Sequence, residues 1–399
     1  MSKTTQICSV FLVFLWGVFG LQAQTKVLKG TVMDHQSKIG IEGVMVSTAE
    51  GNSYTITNSE GDFVISIDEQ VESLWFSQIN YLVKEVSTKA AMLIELELIS
   101  KELEEILVFT RPLNTVFGPA LERATKSLTK GDLYQTYVRA FNLVNNDLSN
   151  VADGLVDFYI ERPNRRPIIE IKQNRVLMSK EDVRDESETE ELFGVVDMKD
   201  MSKLIVNTDN IKNIQSILKN EKNYDYVVKK REGALGEETC VVEFSPKENL
   251  KGWKYYEGYA VFTADQQHLI GYNYGLSKSY EKNRRAVPLI YVKMFLNDLG
   301  YQALYRKQAD EYQLSYLSIR TDLDVISTKI GNHRVVSLRE VVVDTIIKDA
   351  PILTSIAKKR NSLFTISSNY QTEFWKNRNI RLLTSREQKA LENLEEEFK

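Results

Sequence analysis

The chain has 399 residues, of which 43% are hydrophobic and 27% charged, with 19 Gly and 7 Pro. This composition supplies enough apolar surface for packed cores and too little Gly and Pro for a low-complexity chain, and the length predicts roughly two or three domains. With 51 basic and 55 acidic residues the net charge is −4, so the chain lacks the excess of positive charge by which proteins bind nucleic acid. The chain has three His and two Cys, which is few for a zinc site, because structural zinc usually has four Cys or His ligands. We therefore expect no metal, no cofactor and no nucleic-acid partner.

The first 23 residues have the pattern of a secretory signal peptide. Lys3 supplies a positive charge, an apolar stretch covers 7–21, and Ala23 is the small residue that precedes a cleavage site. The apolar core is short for a membrane span, and an uncleaved anchor is the alternative interpretation. Cys8 lies too early and too deep in this core for a lipid-attachment cysteine. We expect an exported protein of the periplasm or outer membrane, with no transmembrane span after cleavage.

Cleavage leaves one cysteine, Cys240, in a run of residues typical of a strand. A single thiol cannot form an internal disulfide, so burial alone must stabilise the exported chain. We interpret Cys240 as a buried core thiol rather than a nucleophile, because a free Cys is usually a small buried hydrophobe.

Residues 24–100 are predicted to form a small β-sandwich. Apolar and polar residues alternate in short runs separated by turns, which is typical of strands with one buried face. The predicted strands are 26–33, 43–48, 52–57, 63–67, 73–76 and 92–98. Residues 58–62 form a polar turn in which Gly61 can adopt a positive φ.

The segments 30–32, 43–46, 57–63 and 74–77, followed by Tyr81, are similar to the carboxypeptidase-regulatory-like domain. The resemblance implies a transthyretin-like, seven-stranded sandwich, as found at the N-termini of secreted and outer-membrane proteins of Bacteroidetes-type bacteria. It covers about 75 residues, and Asn58 stands where Asp is common in the family. Since the side-chain oxygen of Asn also caps such a turn, the fold should be unaffected. The family domain is an accessory module, so the resemblance brings no catalytic residues.

A linker over 101–118 is predicted to precede a larger domain over 119–399. Pro119 is expected in the first turn of a helix in which Leu121, Ala124 and Leu128 share one face and which Gly131 ends. A second helix is predicted over 209–221 by the spacing of its isoleucines. Most of the remaining domain is predicted to be strand: 133–143, 155–161, 168–171, 226–230, 238–244, 253–263, 268–279, 286–295, 303–307, 312–320, 323–330 and 334–344.

The hairpin over 253–279 is the clearest feature of this domain, since aromatic residues alternate along both of its strands. We expect these aromatics to face one another across the two strands as core. The alternative is an aromatic-lined ligand cavity, whose lining would include Trp253, Tyr255, Tyr259, Tyr272 and Tyr274. The hairpin is similar to that of periplasmic lipoprotein-carrier-type half-barrels. The predicted fold class is therefore mainly β, or α+β: a small N-terminal β-sandwich followed by a larger antiparallel, half-barrel-like sheet domain with a few helices.

Several polar segments are interpreted as surface. The acidic run 181–191 has too few apolar residues to pack and lacks the glycine of a calcium loop. Arg284 and Arg285 are basic neighbours near a turn that could meet an anionic partner, although a role in solubility is the simpler interpretation. Near the C-terminus, Thr384 or Ser385 is predicted to begin a capped helix with an apolar face. The segment before it, with Trp375, is similar to the ends of larger regulatory-domain proteins from the same bacteria.

No catalytic motif is present in this sequence, and the three histidines, His35, His268 and His333, are spread along the chain as turn or surface residues. The leading hypothesis is a non-enzymatic, exported cell-envelope protein whose sheet-rich domain binds another envelope protein or an apolar ligand, or acts as a scaffold. The alternatives are a periplasmic carrier of hydrophobic molecules and a secreted hydrolase. The hydrolase would have to use carboxylate pairs such as Asp153 with Asp157, or Asp322 with Asp324.

Overall fold

The computed structural model of the chain contains a small and a large β-sheet unit. It describes residues 25–49, 53–90, 92–99, 105–163, 165–178, 201–206, 208–232, 237–288, 292–308, 311–328, 331–352, 363–365 and 381–397. The predicted signal peptide, the acidic run and the segment with Trp375 lie outside the described residues. The predicted fold class, mainly β with a few helices, is confirmed, and the large sheet is open rather than a closed barrel.

The first unit is a sandwich of seven strands in the described residues, one more than the six strands located from the residue pattern, which missed 84–87. The strands are β1 (Thr25–Asp34), β2 (Met45–Ser47), β3 (Tyr54–Ile56), β4 (Asp62–Asp68), β5 (Ser73–Ser77), β6 (Lys84–Ser87) and β7 (Leu93–Leu96). One sheet has the order β4-β1-β7 and the other β3-β2-β5-β6. Their apolar faces meet in one buried cluster. Phe63 and Phe76 lie edge to face at its centre, with ring centroids 5.6 Å apart.

The predicted turn at 58–62 is confirmed in detail. The Asn58 side-chain oxygen accepts hydrogen bonds from the backbone N–H groups of Glu60 and Asp62, both at 2.9 Å. Gly61 has φ +84°, and a Cβ added there would lie 2.2 Å from the carbonyl oxygen of Val32. Only glycine fits this close approach between backbones.

The second unit is built on a sheet of twelve strands within the described part of the chain. These are β8 (Glu105–Ile106), β9 (Leu133–Val144), β10 (Asp147–Tyr159), β11 (Ile168–Met178), β12 (Tyr224–Glu232), β13 (Glu238–Pro246), β14 (Tyr256–Thr263), β15 (Leu269–Leu276), β16 (Val287–Pro288), β17 (Val292–Gln308), β18 (Glu311–Ser327) and β19 (Gly331–Ile347). The order is β11-β10-β9-β19-β18-β17-β15-β14-β13-β12-β8, with β16 beside β17, and every pair is antiparallel.

One side of this sheet, the helix face, is covered by α1 (Leu113–Thr125), α2 (Ser202–Val206) and α3 (Thr208–Leu218). The predicted helix over 209–221 is thereby confirmed, and its Ile211, Ile214 and Leu218 are buried. Phe117 of α1 packs on Phe262 of the sheet with ring centroids 4.5 Å apart. Because side chains fill the space between helices and sheet, this face is an ordinary hydrophobic core.

The opposite side, the sandwich face, is covered by the N-terminal sandwich and by α4 (Ser385–Glu397). Tyr54 of β3 lies in a buried cluster with Tyr137 and Tyr316 of the large sheet. Its hydroxyl lies 2.6 Å from the carbonyl oxygen of Ser315 and 3.0 Å from that of Val343. The small unit is therefore fastened to the large sheet by buried contacts.

The capping box predicted for the last helix is confirmed, with Thr384 as the capping residue. The Thr384 hydroxyl accepts from the backbone N–H of Glu387 at 3.1 Å, and the Glu387 carboxylate accepts from the backbone N–H of Thr384 at 2.8 Å. Leu391 then packs on Phe141 and Val151. The other predicted members of this apolar face, Leu394 and Phe398, lie outside the described side chains.

The prediction that Pro119 lies in the first turn of its helix is wrong. Helix α1 begins at Leu113, after Pro112, and Pro119 lies in its middle on the exposed side. Burial of Phe117 and Leu121 on the opposite side stabilises helix on both sides of the proline despite the missing N–H. The helix ends at Thr125, well before Gly131.

Two long strands were predicted as shorter pieces. Strand β18 continues through Thr321 and Asp322, which separate the predicted strands 312–320 and 323–330. It continues because Arg334 of the neighbouring strand neutralises the Asp322 carboxylate. Strand β17 likewise runs through 296–302, where an irregularity between Leu296 and Asp298 takes up the extra residue.

Candidate functional site

In the aromatic hairpin, the strand register places the two predicted rows of aromatic residues, one on each strand, on opposite faces of the sheet. Tyr259 lies opposite Asn273, and Tyr272 lies opposite Ala260, so Tyr259 and Tyr272 point to opposite faces of the sheet. The expectation that the rows face one another is therefore wrong. The cause is a bulge at Ile270, because the pairing shifts by one residue between Val261 and Phe262. A shift of one residue turns every later side chain to the other face.

Tyr272 and Tyr274 are buried in the core of the helix face. The ring of Tyr274 lies 5.2 Å from that of Tyr301 and 5.5 Å from that of Tyr256. Its hydroxyl donates to the carbonyl oxygen of Asn210 at 3.0 Å, and burial raises its pKa far above the usual range. This tyrosine is part of the core, as the simpler interpretation of the hairpin expects.

Tyr259 lines an apolar opening between the two units, which we call the interdomain cleft, and the strand at Tyr272 borders it although the Tyr272 side chain belongs to the core of the helix face. Its walls include Met45 and Ile79 from the sandwich and Val241 and Leu304 from the large sheet, and its volume is about 110 Å³. Pockets that hold small molecules usually measure roughly 300–1,000 Å³. The cleft is therefore small for a carried hydrophobic ligand.

A larger opening lies where β15 ends against β17, β18 and β19, beside the 3₁₀ turn Lys278–Asn283. We call it the end pocket; its volume is about 400 Å³, within the small-molecule range. The side chains that give it its chemistry are Trp253, Lys278, Tyr280, Glu281, Arg284, Asn297, Asp298, Asp322, Asp324 and Arg334. Of the five predicted lining residues, only Trp253 lies in this pocket.

Tyr255 supports the end pocket from behind. Its ring lies 4.8 Å from that of Tyr280, and its hydroxyl donates to the carbonyl oxygen of Lys251 at 2.9 Å. Tyr280 is held in turn by its own hydroxyl, which donates to the carbonyl oxygen of Lys247 at 2.5 Å and accepts from the backbone N–H of Leu250 at 3.0 Å. The aromatic wall is therefore fixed by bonds to the backbone.

A continuous row of hydrogen bonds forms the polar wall of the end pocket. Arg334 binds the Asp322 carboxylate with two N–H groups, at 2.7 and 3.0 Å. The Asn297 amide donates to Asp322 at 3.2 Å, and Arg284 donates to the Asn297 oxygen at 2.6 Å. Arg284 also forms an ion pair with Glu281. Side chains that fix one another in this way are oriented before any ligand arrives.

Three of the four carboxylates weighed as hydrolase pairs, Asp153, Asp157 and Asp322, are engaged in ion pairs. Burial alone would raise the pKa of Asp322, but the hydrogen bonds from Arg334 and Asn297 and the Arg334 charge lower it below its usual range. Asp153 is held by two N–H groups of Arg175, at 2.6 and 3.0 Å. Asp157 lies 3.6 Å from the amine of Lys172. Burial raises the pKa of Asp157, although the Lys172 charge lowers it in part, so Asp157 has the raised pKa that a general acid needs.

The isolated histidines and the cysteine lie apart from one another. His35 is exposed and contacts Glu95 at 2.7 Å, whereas His268, 3.2 Å from Arg123, and His333, 3.2 Å from Asn145, are half-buried. Cys240 is buried, as predicted, and burial raises the pKa of its thiol. Within the described residues there is no group of three or more His, Cys, Asp or Glu that could hold a metal ion.

Sequence reasoning missed a buried charge cluster on the sandwich face, formed by Arg139, Glu340 and Arg381. Arg381 donates to the Glu340 carboxylate at 2.7 Å, and Arg139 lies 3.6 Å from it. Arg139 also donates to the carbonyl oxygen of Arg381 at 3.0 Å, and Tyr316 donates to Glu340 at 2.9 Å. The cluster is closed to solvent and joins the segment before α4 to the sheet, so we interpret it as structural.

Comparisons with known proteins leave the family open. No protein-family model matches the chain, and no curated protein matches it significantly. Among solved structures it is similar to one described as "Lipid-protein interactions in lipovitellin", with 10% sequence identity and a TM-score of 0.24. That match covers 60% of this chain and 28% of the other, so the chain spans less than a third of that protein. A likeness at this level establishes neither a shared fold nor a shared ligand.

None of the helices in the described ranges is both long enough and apolar enough to cross a membrane.

Proposed function

We propose that this chain is an exported, non-catalytic binding protein of the bacterial cell envelope, and that its ligand site is the end pocket. The signal-like first 23 residues support export to the periplasm or outer membrane. The large sheet, braced on one side by helices and on the other by the sandwich, would serve as the rigid frame of the site.

We further propose that residues 24–100 are a carboxypeptidase-regulatory-like domain. The seven strands in two sheets around one apolar cluster support this assignment, as does the turn capped by Asn58. In this position the domain would act as a structural partner, because its β3 strand is buried against the large sheet.

The observation that carries the binding function is the end pocket itself. It combines a volume of about 400 Å³ with an aromatic wall and a pre-ordered row of charged groups. The carrier alternative has less support, because the apolar interdomain cleft measures about 110 Å³. The hydrolase alternative has less support, because Asp153, Asp157 and Asp322 are engaged by Arg or Lys.

Two measurements test this proposal. For export, the protein is isolated from fractionated cells that make it naturally, and its N-terminus is sequenced; we expect to find it in the envelope fractions with Gln24 as its first residue.

For binding, the melting temperature of the purified protein is measured with and without the small-molecule fraction of an envelope extract. A ligand that binds only the folded state raises the melting temperature by mass action. We expect a rise for the natural protein and no rise for Trp253→Ala.

Trp75→Phe, in the sandwich and outside the end pocket, is the matched control and should respond to the extract like the natural protein. Cytosolic protein with an intact leader would refute export. An extract that leaves the natural protein unchanged, or that shifts Trp253→Ala equally, would refute the end pocket as the site.

A further inference from the structure

The end pocket is lined by both hydrogen-bond donors and hydrogen-bond acceptors, and this combination restricts its ligand. Arg284 and Arg334 present N–H groups that only donate, whereas Asp298 and Asp324 present carboxylates that only accept. A hydroxyl group both donates and accepts, so one hydroxyl can bridge neighbouring groups of opposite kind. A ligand with several hydroxyls matches such a wall better than one with donors alone or acceptors alone.

The charges of the end pocket nearly balance. Three of its side chains are cationic, Lys278, Arg284 and Arg334, and four are acidic: Glu281, Asp298, Asp322 and Asp324. Two of the cations are further neutralised by direct ion pairs to Glu281 and Asp322. This leaves Lys278 with Asp298 and Asp324, an excess of one acidic group, whereas a site built for a phosphate or a carboxylate presents a surplus of cations. The charge balance therefore disfavours an anionic ligand and is compatible with a neutral one.

The aromatic wall supplies the remaining requirement. Trp253 is half-buried at the pocket, and Tyr280 is buried and fixed by its hydroxyl bonds. Aromatic rings offer broad apolar surface at little entropic cost. A ligand that uses both walls must have hydroxyls around its edge and an apolar C–H face.

We propose that the end pocket binds a neutral sugar ring, with the C–H face of the sugar on Trp253 and its hydroxyls on Arg284, Asn297 and Arg334 of the polar row and on Asp324, which lies opposite Arg334 in the sheet. This inference rests on the proposed binding function and names the class of its ligand. The hydrogen bonds within the row already hold its side chains in place, so binding a ligand costs little conformational entropy in the protein.

The test titrates glucose, galactose and N-acetylglucosamine into the purified protein and measures binding by saturation-transfer NMR. We expect saturable binding of at least one of these sugars. Trp253→Ala should weaken it about tenfold, which corresponds to the loss of one aromatic contact surface. Asp324→Asn, which keeps the shape but halves the acceptor capacity of the side chain, should weaken it several-fold. Trp75→Phe should bind like the natural protein.

The outcomes separate this inference from the proposed function. If none of the three sugars binds, while inorganic phosphate or free glycine does so in a manner sensitive to Trp253→Ala, the ligand class is wrong and the binding function stands. Sugar binding unchanged in both Trp253→Ala and Asp324→Asn would place the sugar elsewhere and refute the inference. Failure of the sugars together with failure of the envelope extract to raise the melting temperature would refute both.

Discussion

The two faces of the large sheet are both buried, but they are buried by different chemistry. On the helix face, Phe117, Phe262 and their neighbours form a continuous apolar core under α1 and α3. On the sandwich face, the partners are distant in sequence and include the charge cluster of Arg139, Glu340 and Arg381. The first kind of burial depends on apolar area, and the second on exact pairing of polar groups.

This difference predicts that the two faces respond differently to substitution. Removing an apolar side chain leaves a cavity whose cost grows with its volume. Removing one member of a buried charge pair leaves an uncompensated charge, whereas removing both members together costs much less. Single and double substitutions can therefore distinguish the two kinds of burial.

The largest effect is expected from Phe117→Ala on the helix face. Phe117 is fully buried, between Phe109 and Phe262 with ring centroids 5.6 and 4.5 Å away. The substitution should lower the free energy of unfolding by about 3–5 kcal/mol, as large core truncations do. Urea denaturation followed by circular dichroism measures the change. The control is Lys126→Ala, an exposed position after the same helix, for which less than about 0.5 kcal/mol is expected.

On the sandwich face, Arg381→Met should lower the free energy of unfolding by about 3 kcal/mol, because the buried Glu340 carboxylate loses its closest cation. We place the effect at the lower end of the usual range for broken buried pairs, since Arg139 remains 3.6 Å from the carboxylate. The double variant Arg381→Met with Glu340→Gln should recover a large part of the loss. A double variant that is as unstable as the sum of its single changes would show that the pair has no coupling.

The pair of Glu340 and Arg381 should also affect how the free energy of unfolding depends on pH in the acid range. Burial alone would raise the pKa of Glu340, but the charges of Arg381 and Arg139 lower it below the usual range. Because its folded pKa lies below the unfolded value of about 4.3, the ionised carboxylate stabilises the fold above that pH, and this stability is lost as the pH falls through the folded pKa. Glu340→Gln should therefore flatten the decline below about pH 4 relative to the natural protein. An unchanged decline would contradict this assignment.

The two faces of the large sheet also differ in how far the sequence predicts them. The helix over 209–221 and most strands follow from local periodicity, which one face of each element expresses on its own. Arg139, Glu340 and Arg381 look like ordinary surface charges, because their pairing depends on segments far apart in the chain. In the candidate site, Trp253 was found from its aromatic pattern, whereas the row through Asn297 and Arg334 exists only after β17, β18 and β19 align. The bulge at Ile270 likewise has no local signal, and it redirected Tyr272 and Tyr274 into the core.

A smaller effect is expected where the sandwich meets the sheet. Tyr54→Phe removes the hydroxyl that lies 2.6 Å from the Ser315 oxygen and 3.0 Å from the Val343 oxygen. Loss of a buried hydrogen-bond donor costs about 1–2 kcal/mol, and here the cost should fall on the docking of the two units. Limited proteolysis should therefore cleave the variant faster between the units. Tyr255→Phe, whose hydroxyl bond is at an exposed position, is the matched control and should leave the cleavage rate unchanged.

The smallest effect is expected at the start of α4, where the sandwich face is closed by a local motif. Thr384→Ala removes the oxygen that accepts from the Glu387 N–H at 3.1 Å, and loss of such a cap costs about 1 kcal/mol. Because the helix lies at the edge of the fold, we expect faster amide exchange within 385–397 and little change in the central strands. Thr384→Ser keeps the cap and should exchange like the natural protein. Equal acceleration of exchange in β9 and β19 would mean that the helix and the charge cluster beneath it open together. The contacts on the sandwich face would then unfold as one cooperative unit rather than independently of one another.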